Sequence, residues 1–550
     1  MTLEKGPTKI ARTVALWRYQ TGAIPPEALA FPGVKARGDT LLVPLNAAPL
    51  VAKLLGGPSA PTPSPLRTAK AALPWLRPWV PAFLTAYQRA GIAAALSWPE
   101  ESGMLAWAAG AGKTVASIIW GLAAGGITVA VTKASIRPQW AREVERFSTV
   151  PVEVLEGETP RSSMITDKRP IFFVTAYSTL PAWIGELVRA RPASVIFDES
   201  HIVQSHRRWN AECGEGDRPR FTLRDNIAAA AYRLSRAAKR RLATTATPIR
   251  DRVRNLWAQL DLVDPGGWGT FSDFARRYCG AIEGTFGLDT RGSSHLVELK
   301  ERISLITHRV SYAEASRELP PRIRQVCRIP VRDQVQSEGF AKELKLAAKH
   351  GRQALFEARL MEAASRKRKI AVDHAVDALE SGGKVLIFTG RRRDAESIER
   401  LLRTRLPSSP SILVLVGHGG HSVEERTDLV DRYMARRGPA VLTGTGDAFG
   451  EGLNLQDTDL LIQVMLPWNT AGVIQREGRA HRLGQTRSVR CLYLVAEGTV
   501  DEHVAEILIG KIPAVVGVGQ DEVAALGEEL AGASEAELLS RLMEKAMGGA

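Results

Sequence analysis

Eight short, mostly apolar segments, each separated from the next by helix-spaced sequence, restrict the fold of this chain more than any other feature. Four lie in one block: ITVAVT (127–132), PIFFVT (170–175), SVIFDES (194–200) and RLATTAT (241–247). Four more lie in a second: KVLIFTG (384–390), SILVLVG (411–417), AVLTGT (440–445) and LLIQVM (460–465). A strand without a polar face must be covered on both sides, and helices between strands provide that cover in parallel sheets. The fold class is therefore α/β, with two parallel-sheet lobes expected over residues 81–310 and 381–510.

The remaining stretches differ in kind. Residues 1–55 suggest strands at TVALWRY and TLLVPL and a short helix at LVAKLL, a small basic α+β module. Residues 56–80 form a linker, because four of the ten residues in GPSAPTPSPL are Pro, which locks φ and removes donors. Between the blocks, residues 311–380 are expected to be a helical linker or insertion, since 331–380 carry helical spacing, few breakers and many charges. From 511 to 550 three basic residues face seven acidic ones, and an acidic helical tail is expected.

A 550-residue chain with a formal charge of +14 calls for a polyanionic partner, and nucleic acid is the first candidate. Residues 1–80 hold ten Lys or Arg against three acids, so half of the net charge sits there. Cys213, Cys279, Cys327 and Cys491 form no C-x-x-C pair, and neither a zinc site nor a disulfide framework is expected. No signal-peptide core and no run of ~18 apolar residues is found, which points to a soluble cytoplasmic protein without a membrane partner.

Residues 104–114, MLAWAAGAGKT, end like a phosphate loop but have Trp107 where the outer Gly of G-x-x-x-x-G-K-[ST] belongs. Such a loop works because backbone N–H groups at a helix start face the phosphates, with a Lys for charge and a Thr oxygen for Mg²⁺. Lys113 and Thr114 supply these groups, and Gly110 and Gly112 the backbone freedom. Asp198 and Glu199 end an apolar strand, where α/β sheets bind ligands. Asp198 is expected to hold Mg²⁺ and Glu199 to polarise the water that attacks the γ-phosphate of ATP. His418 and His421 in GHGGH are read as loop residues, and RKRK (366–369) as a solvated helix face or a DNA contact.

From about residue 80 to 510 the motifs resemble the motor core of superfamily II helicases, and more narrowly the SWI/SNF-type DNA-translocating ATPases, with DESH in place of Asp-Glu-Ala-His. The resemblance implies two RecA-like lobes, ATP and Mg²⁺ as ligands, and hydrolysis coupled to movement on duplex or branched DNA without sequence preference. LTAYQRAGIAAAL resembles the opening motif, in which Gln88 would read adenine. The family usually has an Asp-Glu pair at the positions of Trp107 and Ala108. VTKASIRPQWAREVERF, with Lys133, is similar to a segment touching one DNA strand, and TTATPIRDRVRNLWAQL to the Thr-Gly-Thr-Pro segment that His201 would couple to the nucleotide.

GTGDAFGEGLNLQDTDLLIQVMLPWN resembles the segment that senses DNA and nucleotide, implying Gly452 at the nucleotide and Gly446, Asn454 and Trp468 at DNA, with Phe449 and Glu451 as departures. In QREGRAHRLGQ, Gln475, Gly478, Arg479, Arg482, Gly484 and Gln485 fall on the family spacing. Gln475 would then contact nucleotide, while Arg479 and Arg482 reach the γ-phosphoryl group when the lobes close. The expected protein is a monomeric DNA-dependent ATPase, associated with the nucleoid if the host is prokaryotic or viral. Two alternatives stay open: a strand-separating DNA or RNA helicase, and a silent DNA-binding scaffold disabled at Trp107 and Ala108.

Overall fold

A run such as Ser194–Asp198 offers no polar face to water, so it is stable only between two covered strands. That is its place in a computed structural model, which describes residues 9–10, 14–18, 26–37, 40–54, 69–108, 110–157, 170–203, 223–246, 248, 252–284, 287–315, 317, 319–330, 367–406, 411–449, 455–467, 470–482 and 484–497. The chain falls into two compact units with the main boundary between Ser311 and Tyr312.

In the first unit seven strands pair in the order Thr307–Val310, Gly103–Trp107, Arg240–Thr245, Ser194–Asp198, Ile127–Thr132, Ile171–Ala176, Val152–Val154. Every pairing is parallel. Crossover helices such as Lys113–Leu122, Arg137–Phe147, Leu180–Ala190 and Arg254–Val263 supply the remainder of the core. Because the strands run the same way, the ends of Gly103–Trp107, Arg240–Thr245, Ser194–Asp198 and Ile127–Thr132 share one sheet edge.

The second unit has six strands in the order Arg322–Ile329, Val489–Ala496, Leu460–Gln463, Lys384–Thr389, Ala440–Thr445, Leu413–Gly417, again all parallel. These two sheets are the α/β architecture expected of RecA-like lobes. No helix among the described residues is long and apolar enough to cross a membrane.

One expectation is corrected. Residues 311–380 are not uniformly helical, because Arg322–Ile329 is a strand of the second sheet; residues 367–380 are helical and 331–366 lie outside the described residues. The expected Pro-rich linker is described only from Ala69, where Ala69–Trp75 forms a 3₁₀ helix, and the acidic tail lies wholly outside.

The N-terminal segment forms an antiparallel sheet in the order Lys9–Ile10, Val14–Arg18, Thr40–Pro44, Lys35–Arg37, followed by helix Ala48–Leu54. It is fastened within the first unit by Arg302, which is fully buried. Its guanidinium donates to Tyr278 Oη at 2.9 Å, to Pro32 O at 3.2 Å, to Asn46 Oδ1 at 2.5 Å and to Gly267 O at 2.9 Å, and lies 4.3 Å from the Trp268 ring centroid. Asn46 in turn donates to Asp264. Burial pushes the Asp264 carboxyl up to about 6, although Arg302 and the Asn46 hydrogen bond pull the other way. Arg302→Met removes the cation and orphans four acceptors at once. It is expected to lower unfolding free energy by about 3–5 kcal/mol, the cost of breaking a buried charged cluster, read as a shifted urea midpoint.

Candidate active site

Strand register builds the acidic end of the site. Thr244 stands opposite Asp198 in the parallel pair, and its hydroxyl donates to Asp198 Oδ1 at 2.7 Å. From the other neighbouring strand Thr132 donates to Oδ2 at 3.1 Å, and Trp140 Nε1, on the following helix, donates to the same oxygen at 2.8 Å. Tyr177 Oη donates to the Asp198 carbonyl at 2.9 Å. A carboxylate has about four acceptor sites, so three are filled and one remains, on Oδ1. Burial, then the charge of Glu199, raises the Asp198 pKa; hydrogen bonds from Trp140 and Thr244 and the charge of Lys113 oppose them.

Glu199 has φ of 52°, a left-handed backbone that is costly for a side chain other than Gly and is concentrated at functional sites. Its Oε2 lies 3.2 Å from His201 Nδ1, but that nitrogen is aligned with Thr245 Oγ1 at 3.1 Å. Glu199 Oε2 and His201 Nε2 are buried and make no hydrogen bond among the described residues. Burial would raise the Glu199 pKa; the proximity of His201 and the charges of Lys113 and Lys133 outweigh it, and the carboxyl is held well below its ordinary range. Glu199 is thus an ionised acceptor whose Oε2, close to His201 Nδ1, has no aligned donor among the described residues.

The phosphate loop joins strand Gly103–Trp107 to helix Lys113–Leu122. Gly110 and Gly112 have φ of 80° and 78°, a region open to Gly without strain. Lys113 Nζ donates to Trp107 O at 3.0 Å and Ala108 O at 3.3 Å, spanning the loop, and Thr114 is half-buried in the first helical turn. The helix start offers backbone N–H groups without intrahelical partners, a ready anion site. The residues present fit ATP and Mg²⁺: a cationic loop, a Thr hydroxyl, one open Asp198 acceptor site and the orphaned Glu199 oxygen.

Trp107 does not enter this cradle. Its side chain is fully buried, Nε1 meets His308 Nδ1 at 3.0 Å, and Tyr87 packs edge-on at 5.7 Å between centroids. Space comes from Gly91 on helix Ala86–Ser97, where a Cβ would overlap the Trp107 ring and approach His308 Nδ1 to 3.1 Å. Gly91→Ala is expected to lower stability by about 1–3 kcal/mol through overpacking, and the loss should vanish in a Trp107→Leu background. Equal losses in both backgrounds, in urea melts, would show that the two positions do not share this space. Phe449 is accommodated similarly in the second unit: it is fully buried, and a Cβ at Gly417 or Gly444 would overlap its ring.

Gln88 is buried, and its Oε1 accepts from Thr85 N at 3.0 Å in a capping box that starts its helix. Lys133 is half-buried at the end of strand Ile127–Thr132, near enough to act on Glu199. In the second unit, Gln475 is buried on helix Thr470–Ala480, which also carries Arg479, and Arg482 follows in the next turn; both arginines are half-buried. Gly446 leaves room for Arg476, whose Nη1 donates to Met465 O at 2.7 Å and Gln463 Oε1 at 3.2 Å. Gly452, Asn454 and Trp468 lie outside the described residues.

Gln485 proves to be a clamp: Nε2 donates to Thr458 O at 2.9 Å, and Oε1 accepts from the amides of Thr486 and Arg487 at 2.9 and 3.1 Å. Sequence reasoning missed Trp140, Thr132 and Thr244 as holders of Asp198. The Thr pair could have been found from its place at strand ends beside SVIFD. It also missed the link from DESH to the next motif through Ser200, which donates to Gln259 Oε1 at 2.9 Å while Gln259 donates to Pro248 O at 2.7 Å.

The model of the helicase conserved C-terminal domain matches residues 367–484. The SWI/SNF-related matrix-associated actin-dependent regulator of chromatin subfamily A-like protein 1 of Drosophila melanogaster is 25% identical over 397 residues, 70% of this chain and 49% of its own. Human DNA annealing helicase and endonuclease ZRANB3 is 27% identical over 398 residues, 68% of this chain and 34% of its own. The chain thus spans half or less of the length of these curated relatives. A solved Sulfolobus solfataricus SWI2/SNF2 ATPase core in complex with double-stranded DNA aligns over 83% of this chain and 96% of its own, with 21% identity and a TM-score of 0.38. Because the model of the SNF2-related domain covers residues 83–376, more than half of the 550 residues, the chain belongs to the SNF2-related family.

Proposed function

We propose that the protein hydrolyses ATP to move along double-stranded DNA and remodel DNA structures or protein–DNA complexes. The observation that carries the reading is the half-buried, ionised Glu199, whose buried Oε2 makes no hydrogen bond among the described residues, beside a Gly-Lys-Thr helix start and a braced Asp198. Lys113 offsets charge on the terminal phosphates, and Gln88 reads the adenine edge. Glu199 orients a water whose oxygen attacks the γ-phosphorus; the bond to the β–γ bridging oxygen breaks, its electrons leave with ADP, and the water's proton passes to Glu199 or the phosphate. Thr114 and the open acceptor site of Asp198 would hold Mg²⁺, which would supply charge neutralisation at the phosphate oxygens.

Arg479 and Arg482 act on the same nucleotide from the second unit, with Gly452 and Gln475 also serving the nucleotide. Lys133, Gly446, Asn454 and Trp468 serve DNA. Because splitting then needs both units, hydrolysis is tied to their motion, and motion against a bound strand is translocation. The formal +14 charge and the family membership support a DNA track. The names of the relatives, which include an annealing helicase, support branched or chromatin-like DNA as substrate. Such an activity places the protein on DNA inside the cell.

The test is displacement of a third strand from a triplex by the protein and ATP, run beside ordinary strand displacement from a partial duplex. A duplex translocase ejects the third strand and leaves duplex arms paired. Unwinding without triplex ejection would identify a strand-separating helicase instead. Binding should fall by on the order of 10³-fold between about 50 and 200 mM salt and should not depend on sequence, since phosphates supply the affinity. A flat salt response with strong sequence preference contradicts this mode of binding.

A further inference from the structure

The helix bearing Arg479 also bears a buried carboxylate that the steps above do not use. Glu477 is fully buried, and all of its acceptor capacity is taken. Arg324 Nε donates to Oε1 and Arg324 Nη2 to Oε2, each at 2.8 Å, a bidentate fork. Arg322 Nη1 adds a second bond to Oε2 and Tyr493 Oη a second bond to Oε1. The Arg322 side chain is 6% exposed and that of Arg324 26%, so two guanidiniums share a fully buried carboxylate, the first of them largely shielded from water. Burial opposes the charge on Glu477, but the Arg324 hydrogen bonds and both arginine charges hold its pKa below the ordinary value.

The two prolines leading into that strand hold the helix end and the neighbouring strand. His481 Nε2 lies 2.6 Å from Pro320 O, and Pro321 O accepts from Val489 N at 3.1 Å. Among the described residues Arg322–Ile329 is the first strand of the second unit, and it is an edge strand paired with Val489–Ala496 alone. The contacts of this strand at Glu477 and of Pro320 at His481 bracket Arg479, whose own carbonyl accepts from Leu455 N at 3.0 Å. A saturated, bidentate ion cluster fixes both the rotation and the axial position of a helix, which a packed apolar face does less sharply.

We infer that Glu477, Arg322 and Arg324 are positioning residues that hold Arg479 in register for the nucleotide, tying it to the strand by which the chain enters the second unit. This rests on the role proposed above for Arg479. Neutralising the carboxylate frees the helix to shift, and an ångström-scale misplacement costs roughly 10²-fold in rate.

The experiment is a double-mutant cycle on full-length protein with duplex DNA, measuring kcat and KM for ATP, DNA affinity and thermal midpoint. Glu477→Gln is expected to lower kcat about 10²-fold, with KM for ATP and DNA affinity changed less than about twofold. In an Arg479→Ala background the added Glu477→Gln should cost less than about threefold more, because it acts through a group already gone. Arg324→Lys keeps the charge and loses the fork; it should show the same dependence on Arg479 with a smaller loss, and it decides the matter if Glu477→Gln does not fold. Losses that multiply, or that appear equally in KM and DNA affinity, overturn the inference and leave the proposed function standing. Should Arg479→Ala hydrolyse ATP at the wild-type rate, the role of Arg479 falls and the inference with it.

Discussion

Glu199→Gln lowers DNA-stimulated phosphate release by about 10²–10⁴-fold, the usual range for removing a positioned base, while ATP still binds. The amide keeps the size and one acceptor oxygen but cannot carry the charge that Lys113, Lys133 and His201 now stabilise. It also offers an N–H₂ to a water that needs an acceptor. Retained binding with lost turnover, measured by nucleotide titration and single-turnover kinetics, separates this outcome from a collapsed site. A rate within threefold of wild type would remove Glu199 from the chemistry.

Arg479→Ala carries the other large effect. An arginine finger contributes about 10³–10⁵-fold to phosphoryl transfer, because a fixed guanidinium meets charge that develops on the γ-phosphoryl oxygens. The loss should fall on kcat, since the group is needed in the transition state and not for capture of ATP. Arg479→Lys should recover only part of it, as an ammonium lacks the planar fork. Full recovery by Lys would mean that charge alone is required and that orientation of this helix matters little. Both variants are read in the same phosphate-release assay, with duplex DNA saturating.

What could be read from sequence follows from how each element is stabilised. ITVAVT and SVIFD are buried on both faces, so their burial is written as uninterrupted apolarity and their place in parallel sheets was legible. The DESH turn and the Gly-Lys-Thr loop were legible because chemistry restricts which residues can stand there. Arg322–Ile329 was not, since in the edge strand RIRQVCRI the apolar Ile323 and Val326 are exposed while Arg322 and Arg324 are partly covered, and its partner Val489–Ala496 is distant in sequence. The buried Glu477 was equally hidden: on a charged helix, Gln-Arg-Glu-Gly-Arg reads as a solvated face until the strand that supplies its arginines is in place.

The Trp107 question shows a different limit. From sequence it is a missing Gly and a missing acid, and it leaves a disabled scaffold open as an alternative. The structure places the side chain in a slot made by Gly91 and His308, with the Gly-Lys-Thr loop beginning after it. Nothing local to MLAWAAGAGKT announces Gly91, which lies on the preceding helix. Arg302 is a similar case: a lone Arg in LKERISL gives no sign that Asn46, Pro32 and Gly267 converge on it.

Whether this chain splits a nucleotide under the control of DNA is decided by the rate of phosphate release from ATP by the intact protein with and without saturating duplex DNA. Turnover should rise at least tenfold with duplex DNA and be abolished by Lys113→Ala. No release above background with duplex, forked or single-stranded DNA would contradict this and leave a binding protein that has kept the shape of a motor.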